Sequence, residues 1–553
     1  MRFPARLMVA CIGLVSTTSS LQAQINVQDF RIIALSGNAL EPSKPQLRYT
    51  PNFLTPSIND NNQVLFLAEV ADTNSTDTAI ILREDNDTTI VAQTNQPLPD
   101  NPSQTYNRLA RPVLANDGVL AFSAEINDNS NFSFSSSILS NINGDLEMFA
   151  TTDQPTPDGG VFTSLNNPTI DRQSGHIAFT ARFKNPNLST FFNEGIYQTH
   201  EPSVFDDATL ILTAREGSPV SDGNIITSFE EDILIIDNQV QFRAGIGTSV
   251  RGLRKDTILQ ATTNNPSIIK PNPSIVAIDG PTPDDDFTFT TFHHHNKASF
   301  APTAFTASLD ISTGQGIDDA SDTALYTPTT LIAQEGENLI SVLGGETGTF
   351  LGDLGNTKPI TNNNGNIAFR APVSYRTQAN GDSILSEPGE AIILAQNLGP
   401  DDYFITIPLS TELGLNNRND ANDFLFIKNF NQSALNDNDI IVVLATLGDG
   451  SHTALIGYDI EQNETFSLAQ SGVTFDINPH PDITDLRTIA TIDFDPTSGL
   501  NNKNIVAYRL NFTDGEAAII TNQISPIPEP RSALLITLLI PTVLRRRSHQ
   551  PTP

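Results

Sequence analysis

A short turn-and-strand unit that recurs along the chain limits the folds open to this sequence. Its clearest copy runs from Asn362 to Ala371, where Asn362–Gly365 favours a tight turn because Asn and Gly tolerate left-handed backbone. Ile367, Phe369 and Ala371 follow at alternate positions, so they fall on one face of a strand. We therefore expect a turn that leads directly into a strand whose Phe faces the core.

Related copies are found when the sequence is aligned on the large apolar residue that follows each turn. In chain order, the eight anchor residues are Phe66, Phe122, Phe179, Phe242, Phe300, Phe369, Val443 and Tyr508. Two further apolar segments follow each of the first seven anchors, and in the fourth unit we assign them to Gly252–Leu253 and Thr257–Ala261. Units of roughly 60 residues with about four short strands each are typical of a β-propeller.

The eighth unit lacks its third segment. It ends at Thr521, whereas an extra third-strand pattern occurs at Phe30–Gly37, before the first unit. We predict an all-β fold, an eight-bladed β-propeller over residues 24–524, closed by the N-terminal strand completing the last blade. Such closure removes free sheet edges. Because the fourth and fifth units are irregular, seven blades is the alternative count, while solenoids and tandem sandwiches explain the split eighth unit less well.

The acidic composition narrows the choice of partners. The chain contains 63 Asp and Glu against 30 Lys and Arg, which gives a formal net charge of −33. Such a surface repels nucleic acid and anionic lipid, so neither is expected as a partner. The single cysteine, Cys11, lies in the N-terminal segment, so the rest of the chain can form no disulfide and no thiolate site.

Residues 1–23 have the pattern of a secretory signal peptide. Arg2 and Arg6 precede the apolar run Leu7–Val15, and Leu21–Ala23 suits cleavage before Gln24. The apolar run is too short to serve as a membrane-spanning anchor. We therefore expect the protein to be exported.

Residues 525–553 combine three features of a sorting signal. These are Pro528, Glu529 and Pro530, then the mostly apolar run Ala533–Leu544, then Arg545, Arg546 and Arg547. As a helix the apolar run would extend about 18 Å, against about 30 Å of bilayer hydrocarbon, so it favours transient membrane contact, with a simple anchor as the alternative. The order of the parts resembles the PEP-CTERM sorting signal of Gram-negative bacteria. This resemblance implies cleavage near Pro-Glu-Pro by an exosortase-type transpeptidase, and localisation to the cell envelope, cell surface or extracellular matrix.

The turn-and-strand unit carries a second resemblance. The pattern NxxGxxAF is matched in full by Asn362, Gly365, Ala368 and Phe369, and in part by the units of Phe66, Phe122 and Phe179. The chain thus resembles the choice-of-anchor tandem repeat proteins that contain NxxGxxAF. The resemblance implies an exported repeat array held by one of several C-terminal anchors, with no established activity and no catalytic residues. We expect these motif residues to be structural.

Candidate metal ligands are few. His293 and His295 would share a strand face, a spacing that could hold one transition-metal ion, and Asp284 and Asp286 are carboxylates that could approach them. A structural role or a solvent-exposed turn is the alternative for these side chains. Oxygen-rich turns such as Asn436–Asp439 suit either turn formation or Ca²⁺. No other cofactor is predicted.

Motifs for catalysis do not occur: the sequence has no zincin, P-loop, nucleophile-elbow or dinucleotide-binding pattern. Extra residues in units five to seven, around 314–322, 336–356, 378–389 and 409–423, are expected to form loops that carry a binding surface. The leading hypothesis is a non-catalytic binding or structural protein, with exopolysaccharide or another surface protein as partner. The alternative is a hydrolase or lyase of extracellular polysaccharide, which carboxylates, His or Arg converging on the propeller axis would favour.

Overall fold

The computed structural model contains eight small antiparallel sheets arranged as the blades of a β-propeller. It describes residues 30–524 except residues 42, 100, 129–132, 186–192, 201–207, 249–254, 263–273, 279–281, 283–288, 298–300, 310–322, 337, 342–347, 380–381, 386–388, 400–401, 411–426, 449, 463 and 479–483. Every regular element among the described residues is a β-strand.

The first four blades follow one another along the chain. Blade 1 comprises β2 (Ala39–Glu41), β3 (Lys44–Phe53), β4 (Ser57–Ile58), β5 (Val64–Ala71), β6 (Thr76–Glu84) and β7 (Asp87–Gln93). Blade 2 comprises β8 (Gln104–Leu114), β9 (Leu120–Asp128), β10 (Ser133–Ser140) and β11 (Glu147–Thr151). Blade 3 comprises β12 (Val161–Leu165), β13 (Thr169–Ile170), β14 (Ile177–Lys184), β15 (Glu194–His200) and β16 (Thr209–Arg215). Blade 4 comprises β17 (Ile225–Ile236), β18 (Gln239–Gly247), β19 (Lys255–Thr262) and β20 (Ser274–Ile278).

The next three blades repeat this plan, and the eighth takes one strand from the N-terminus. Blade 5 comprises β21 (Phe289–Asn296), β22 (Ala304–Leu309), β23 (Thr323–Tyr326) and β24 (Leu331–Gln334). Blade 6 comprises β25 (Asn338–Ser341), β26 (Gly348–Leu351), β27 (Ile360–Thr361), β28 (Ile367–Ala379), β29 (Asp382–Leu385), β30 (Gly389–Gly399) and β31 (Asp402–Ser410). Blade 7 comprises β32 (Ile427–Leu435), β33 (Ile440–Leu447), β34 (His452–Asp459) and β35 (Glu464–Gln470). Blade 8 comprises β36 (Thr474–Asp476), β37 (Leu486–Phe494), β38 (Ile505–Phe512), β39 (Ala517–Gln523) and β1 (Phe30–Leu35).

The N-terminal strand closes the ring. Phe30 of β1 pairs with Asn522 of β39, and Leu35 pairs with Ala518, in antiparallel register. β1 is thus the last strand of blade 8, beside β39, β38 and β37. The prediction of eight blades closed by the N-terminal strand is confirmed.

The anchor residues pack between blades. Phe66, Phe122, Phe179 and Phe369 are each at most 1% exposed. Phe369 lies in one apolar cluster with Leu325 of blade 5 and Ile393 of its own blade. Because each blade is covered on both faces by its neighbours, consecutive residues of a middle strand are all buried, as in Val64–Leu67 of β5. This explains why the units read as continuous apolar runs rather than as alternating ones.

The Phe369→Ala variant tests this packing between blades. We expect it to lower the free energy of unfolding by about 3–5 kcal/mol, since it leaves a cavity between blades 5 and 6. Thermal unfolding followed by circular dichroism measures the change. Phe134→Ala is the matched control, because Phe134 is 59% exposed and should matter little. Equal unfolding temperatures for the two variants would show that Phe369 is not part of a tightly packed core.

The anchor of the fifth unit is Phe305, and the prediction of Phe300 is wrong. Phe305 pairs with Tyr326 across β22 and β23, just as Phe179 pairs with Tyr197 in blade 3. Phe300 lies outside the described residues. Strand pairing selects the position that can reach its partner in the next strand. The anchor then lies 63 residues after Phe242 and 64 before Phe369, so the spacing of this unit is ordinary.

Two further segment predictions are corrected. Thr257–Ala261 belongs to β19, which pairs directly with the anchor strand β18. This segment is therefore the second strand of its unit, counting the anchor strand as the first, and not the third. Gly252–Leu253 lies outside the described residues. Residues 336–356 were expected to form a loop, but they contain β25 and β26, and β26 pairs with β28. Each blade has a strand that pairs with its anchor strand from the N-terminal side. In blade 6 that strand is β26, which lies within the extra residues of this unit. The loop prediction is likewise wrong for residues 382–385, which form β29 and pair with β28, whereas residues 314–322 and most of 409–423 lie outside the described ranges.

Candidate functional site in the central channel

A cavity lies on the propeller axis. Its volume is about 1250 Å³, and its described lining residues come from all eight blades. The segment that precedes each anchor strand, including the turn that leads into that strand, supplies most of the lining. The turns that were found in the sequence therefore meet at this channel.

A repeated side-chain hydrogen bond joins the turns of five neighbouring blades, and a backbone bond from Asn116 N–H to Arg172 O adds the turn of a sixth. We call them the axial turns; their first residues are Asn362, Asn436, Asn501, Asn59, Ala115 and Asp171 in blades 6, 7, 8, 1, 2 and 3. The Nδ2 of each Asn in this series donates to the backbone oxygen of the next first residue, over 2.8–2.9 Å. The Oδ1 of the same Asn accepts backbone N–H groups of its own turn. One side chain thus shapes its turn and fastens it to the next blade.

The second residues of the axial turns form another series, in which amides and carboxylates alternate. Asp437 accepts from Nδ2 of Asn363 at 2.8 Å and of Asn502 at 2.9 Å. Asp60 accepts from Nδ2 of Asn502 at 3.3 Å and of Asn116 at 2.7 Å. Backbone N–H groups of the same turns add bonds of 2.8–3.0 Å to the neighbouring side chain. Alternation gives every carboxylate donors on both sides and keeps like charges out of adjacent blades.

Arg172 holds the second position of the axial turn in blade 3 and contacts two other blades. Its guanidinium donates to the backbone oxygen of Ile58 at 2.7 Å and to that of Leu500 at 3.1 Å. Burial lowers the pKa of Arg172, and the carboxylates of Asp60 and Asp437 oppose that shift. One half-buried cation thus links blades 3, 1 and 8 and offsets the charge of the two carboxylates.

We call the first and second residues of the six axial turns the girdle. Its charged groups converge on the axis, an arrangement expected of an enzyme, but they are already engaged. Both oxygens of Asp60 and of Asp437 accept hydrogen bonds from amides, and Arg172 donates to carbonyls. A Ca²⁺ ion at either carboxylate would have to displace donating N–H groups, because calcium takes oxygen ligands. The geometry therefore gives these turns a role in joining blades.

Substitution of Asn436 tests the girdle bonds. Asn436→Ala removes two bonds to blade 8 and two to its own turn. We expect the free energy of unfolding to fall by about 2–4 kcal/mol, since each buried bond contributes roughly 1 kcal/mol. Asn107→Ala serves as control, because Asn107 makes one exposed bond to Glu125. If thermal unfolding is unchanged in Asn436→Ala, the girdle does not hold the blades together.

A second ring of side chains lines the channel four residues before the axial turns. We call it the channel ring; it consists of Thr55, Arg111, Asn167, Lys358, Gln432 and Thr497. Four residues of chain span at most about 14 Å, so this ring lies within that distance of the girdle. In four blades the next residue is the proline that recurs in the units, Pro56, Pro112, Pro168 or Pro359. That proline was a signal from which the channel ring could have been found in the sequence.

Several polar side chains of the cavity are not used to join blades. Three cations and three amides form no side-chain hydrogen bond or ion pair with any described residue; they are Arg111, Lys297, Lys358, Gln173, Asn356 and Gln432. Arg370 differs, since it pairs with Glu390 at 3.2 Å. The cavity thus offers a ligand unengaged charge and unengaged amides.

The structure places the two candidate histidines in different surroundings. A β-bulge interrupts the pairing of β21 with β22 between Phe292 and His295. His293 Nε2 lies 2.8 Å from Ser308 Oγ, and burial, with the charges of His294 and Arg243, lowers the pKa of His293. His295 is buried and lines the channel.

The metal and calcium roles remain predictions. In the described part of the chain, no three His, Cys, Asp or Glu side chains group closely enough to hold a metal ion. Asp284 and Asp286 lie outside that part.

The signal peptide and the sorting motif, Pro528 to Arg547, also fall outside the described residues. Within residues 30–524, as far as they are described, no helix has the length and hydropathy needed to cross a membrane.

Comparisons with known proteins identify a family and similar folds. The model of DUF7453, described as a family of unknown function, matches residues 28–393 and 416–534. No curated protein matches the sequence. One similar solved structure is the WD40 domain of SCAP from fission yeast, 8% identical, with 90% of this chain and 98% of that chain covered and a TM-score of 0.36. Another is the Dos1 propeller, which is 8% identical; the match covers 84% of this chain and 92% of that chain, with a TM-score of 0.34. A third is the polysaccharide lyase Uly1, which is 9% identical; the match covers 91% of this chain and 94% of that chain, with a TM-score of 0.34. At such identities a likeness concerns fold alone.

Proposed function

The chain belongs to DUF7453, a family of unknown function, and we propose that it is an exported, non-catalytic binding protein whose central channel holds the ligand. The proposal is supported by which polar groups near the axis already form hydrogen bonds within the protein and which do not. Asp60, Asp437 and Arg172 are engaged by neighbouring blades, whereas three cations and three amides of the channel form no side-chain bond with any described residue. A general acid or base must have its reacting atom within reach of a substrate. Binding needs only unengaged donors and acceptors around a concave site.

The ligand class that we propose is exopolysaccharide. A cavity of about 1250 Å³ admits a segment of a small or extended molecule, but not a folded protein domain. Unengaged amides such as Gln173 and Gln432 offer both donors and acceptors, which match the hydroxyl groups of sugars.

A paired assay of binding and cleavage tests the proposal. The full chain is run in affinity electrophoresis through gels that contain purified bacterial and plant polysaccharides, and the same polysaccharides are assayed for new reducing ends. We expect retardation by at least one polysaccharide and no new reducing ends. New reducing ends that disappear in an Asp437→Asn variant would establish the alternative, a hydrolase or lyase. The absence of both retardation and cleavage would overturn the binding proposal.

We further propose that residues 1–23 direct export and that an exosortase-type transpeptidase removes most of residues 525–553, which leaves the protein at the cell surface or in the extracellular matrix. The order of Pro-Glu-Pro, apolar run and Arg cluster supports this. In a host with such an enzyme, mass spectrometry should show a chain that begins at Gln24 and ends near Pro530. Replacing Arg545, Arg546 and Arg547 with Ala should cause the unprocessed form to accumulate. A mature chain that still contains the Arg triplet would contradict this proposal.

A further inference from the structure

The described lining of the central cavity is cationic, in contrast with the whole chain. It contains Arg111, Arg172, Lys297, Lys358 and Arg370 against Asp171, Asp437 and Asp495. The chain as a whole has 30 Lys and Arg against 63 Asp and Glu. A concave surface with low-dielectric walls concentrates the field of its own charges. Arg172 and Arg370 interact with carboxylates of the protein, so the attraction for a ligand anion comes from Arg111, Lys297 and Lys358.

The unengaged cations lie on two sides of the channel. Arg111 belongs to blade 2 and Lys358 to blade 6, and these blades are opposite each other in a ring of eight. Lys297 follows β21 in blade 5, next to blade 6. Anionic groups of one ligand that spans the channel can therefore meet a cation at each side.

The backbone at Arg111 is strained in a way that marks its side chain. Its φ is +42°, although it is neither Gly nor Asn, and Pro112 follows it. The pairing of β8 with β9 shifts register between Ala110 and Val113. Bulges redirect side chains, and residues in sparsely allowed backbone regions cluster at functional sites. The strained backbone and the bulge therefore occur at a cation that lines the channel and bonds to no described residue.

The remaining unengaged groups are suited to sugar hydroxyls. Gln173, Asn356 and Gln432 each carry an amide with two N–H donors and an acceptor oxygen. Phe430 is the single Phe, Tyr or Trp among the described lining residues. Charge and hydrogen bonding, rather than stacking on aromatic rings, would therefore select the ligand.

From these observations we infer that the channel binds a short acidic oligosaccharide, with its uronate carboxylates held by Arg111, Lys358 and Lys297 and its hydroxyls by the three amides. This assignment rests on the proposed binding function and specifies its ligand class. Arg and Lys form their strongest hydrogen bonds with carboxylates. The same groups would hold an acidic segment of an exopolysaccharide, and a cavity of about 1250 Å³ admits only a short segment at a time.

Isothermal titration of the full chain tests the assignment. The probes are trigalacturonate, its neutral methyl ester and a κ-carrageenan oligosaccharide, whose charges are sulfate groups. We expect trigalacturonate to bind at least about tenfold more tightly than the ester, since each charged hydrogen bond contributes about 1.4 kcal/mol or more. The double variant Arg111→Gln/Lys358→Gln should lose at least about tenfold in affinity with no change in unfolding temperature. Arg108→Gln/Lys428→Gln is the control, because it makes the same charge change at exposed positions outside the described lining.

Each other outcome overturns the assignment in a recognisable way. Equal affinity for the acid and the ester would remove the role of charge but leave a sugar-binding channel, so the proposed function would stand. A preference for the sulfated oligosaccharide would exclude carboxylates as the recognised group. Unchanged affinity in the double variant would place the site elsewhere. Failure to bind trigalacturonate would overturn the uronate assignment, while the polysaccharide assay described above decides the proposed function separately.

Discussion

Arg172→Met is expected to lower the free energy of unfolding by about 2–4 kcal/mol, because it removes two partly buried hydrogen bonds from a charged donor, each of which contributes about 1.5–3 kcal/mol at most. The methionine fills much of the same volume, but the carbonyls of Ile58 and Leu500 lose their donors. Asp60 and Asp437 also lose a positive charge that interacts with them. The expected loss of stability therefore has two sources: two carbonyl groups without a hydrogen-bond donor, and two carboxylates without the positive charge that offset them. Denaturant unfolding followed by circular dichroism measures it, since the chain contains no Trp for fluorescence.

Two variants make the Arg172 result specific. Arg172→Lys keeps the charge, but one ammonium group lacks the planar fork that reaches two carbonyls, so we expect an intermediate loss. Arg111→Met removes a cation of the same channel that bonds to no described residue, and we expect less than about 0.5 kcal/mol. If Arg172→Met and Arg111→Met unfold at the same denaturant concentration, Arg172 does not link the blades.

The overall fold could be predicted because core packing repeats. Every blade needs a large side chain such as Phe66 or Phe369 between itself and its neighbour, so the anchors recur at nearly constant spacing. The split eighth unit then predicted the closing strand. The assignment failed in the fifth unit because Phe300 and Phe305 both follow Asn296 within ten residues of sequence, and only the pairing of Phe305 with Tyr326 identifies the anchor.

The girdle could not be predicted from local sequence, because the bonds between its neighbouring turns join residues that lie 56–74 positions apart, or more than 400 apart at ring closure. Ring geometry alone brings Asn501 against Asn59. The turn chemistry of Asn explains the bonds within each turn, but the free Nδ2 of the same side chain has no local partner. The alternation of Asp60, Asn116, Asp437 and Asn502 at the second turn position is the signal that indicates contact between neighbours.

The expectation that the motif would only shape a turn and supply a core residue is therefore incomplete. Phe369 does pack between blades, but Asn362 at the start of the motif also bonds to blade 7. Gly365 has φ +80°, and a Cβ there would collide with Asn397. The motif thus combines a turn, an inter-blade bond and a core anchor within eight residues.

Removal of β1 is expected to have the largest effect on stability. Ile33 and Ala34 are buried in the cluster between blades 8 and 1, and Phe30, Ile32 and Leu35 pack against the cluster between blades 7 and 8. A chain that begins at Asn38 loses these contacts and exposes the edge of β39. We expect its free energy of unfolding to fall by at least about 5 kcal/mol, because each buried aliphatic side chain contributes about 1.5–3 kcal/mol. The exposed edge should also promote aggregation.

Complementation separates loss of the strand from general misfolding. A synthetic peptide of residues 28–37, added in trans, should restore the unfolding temperature and solubility of the truncated chain, because an extended peptide can add to an open sheet edge. A scrambled peptide of the same composition should not. In the full chain, Arg31→Ala should leave stability unchanged, since Arg31 makes only exposed contacts with Asp85 and Asn86. A truncated chain that unfolds like the full chain would show that β1 is dispensable, and the ring would then be held together by the girdle and the contacts between blades alone.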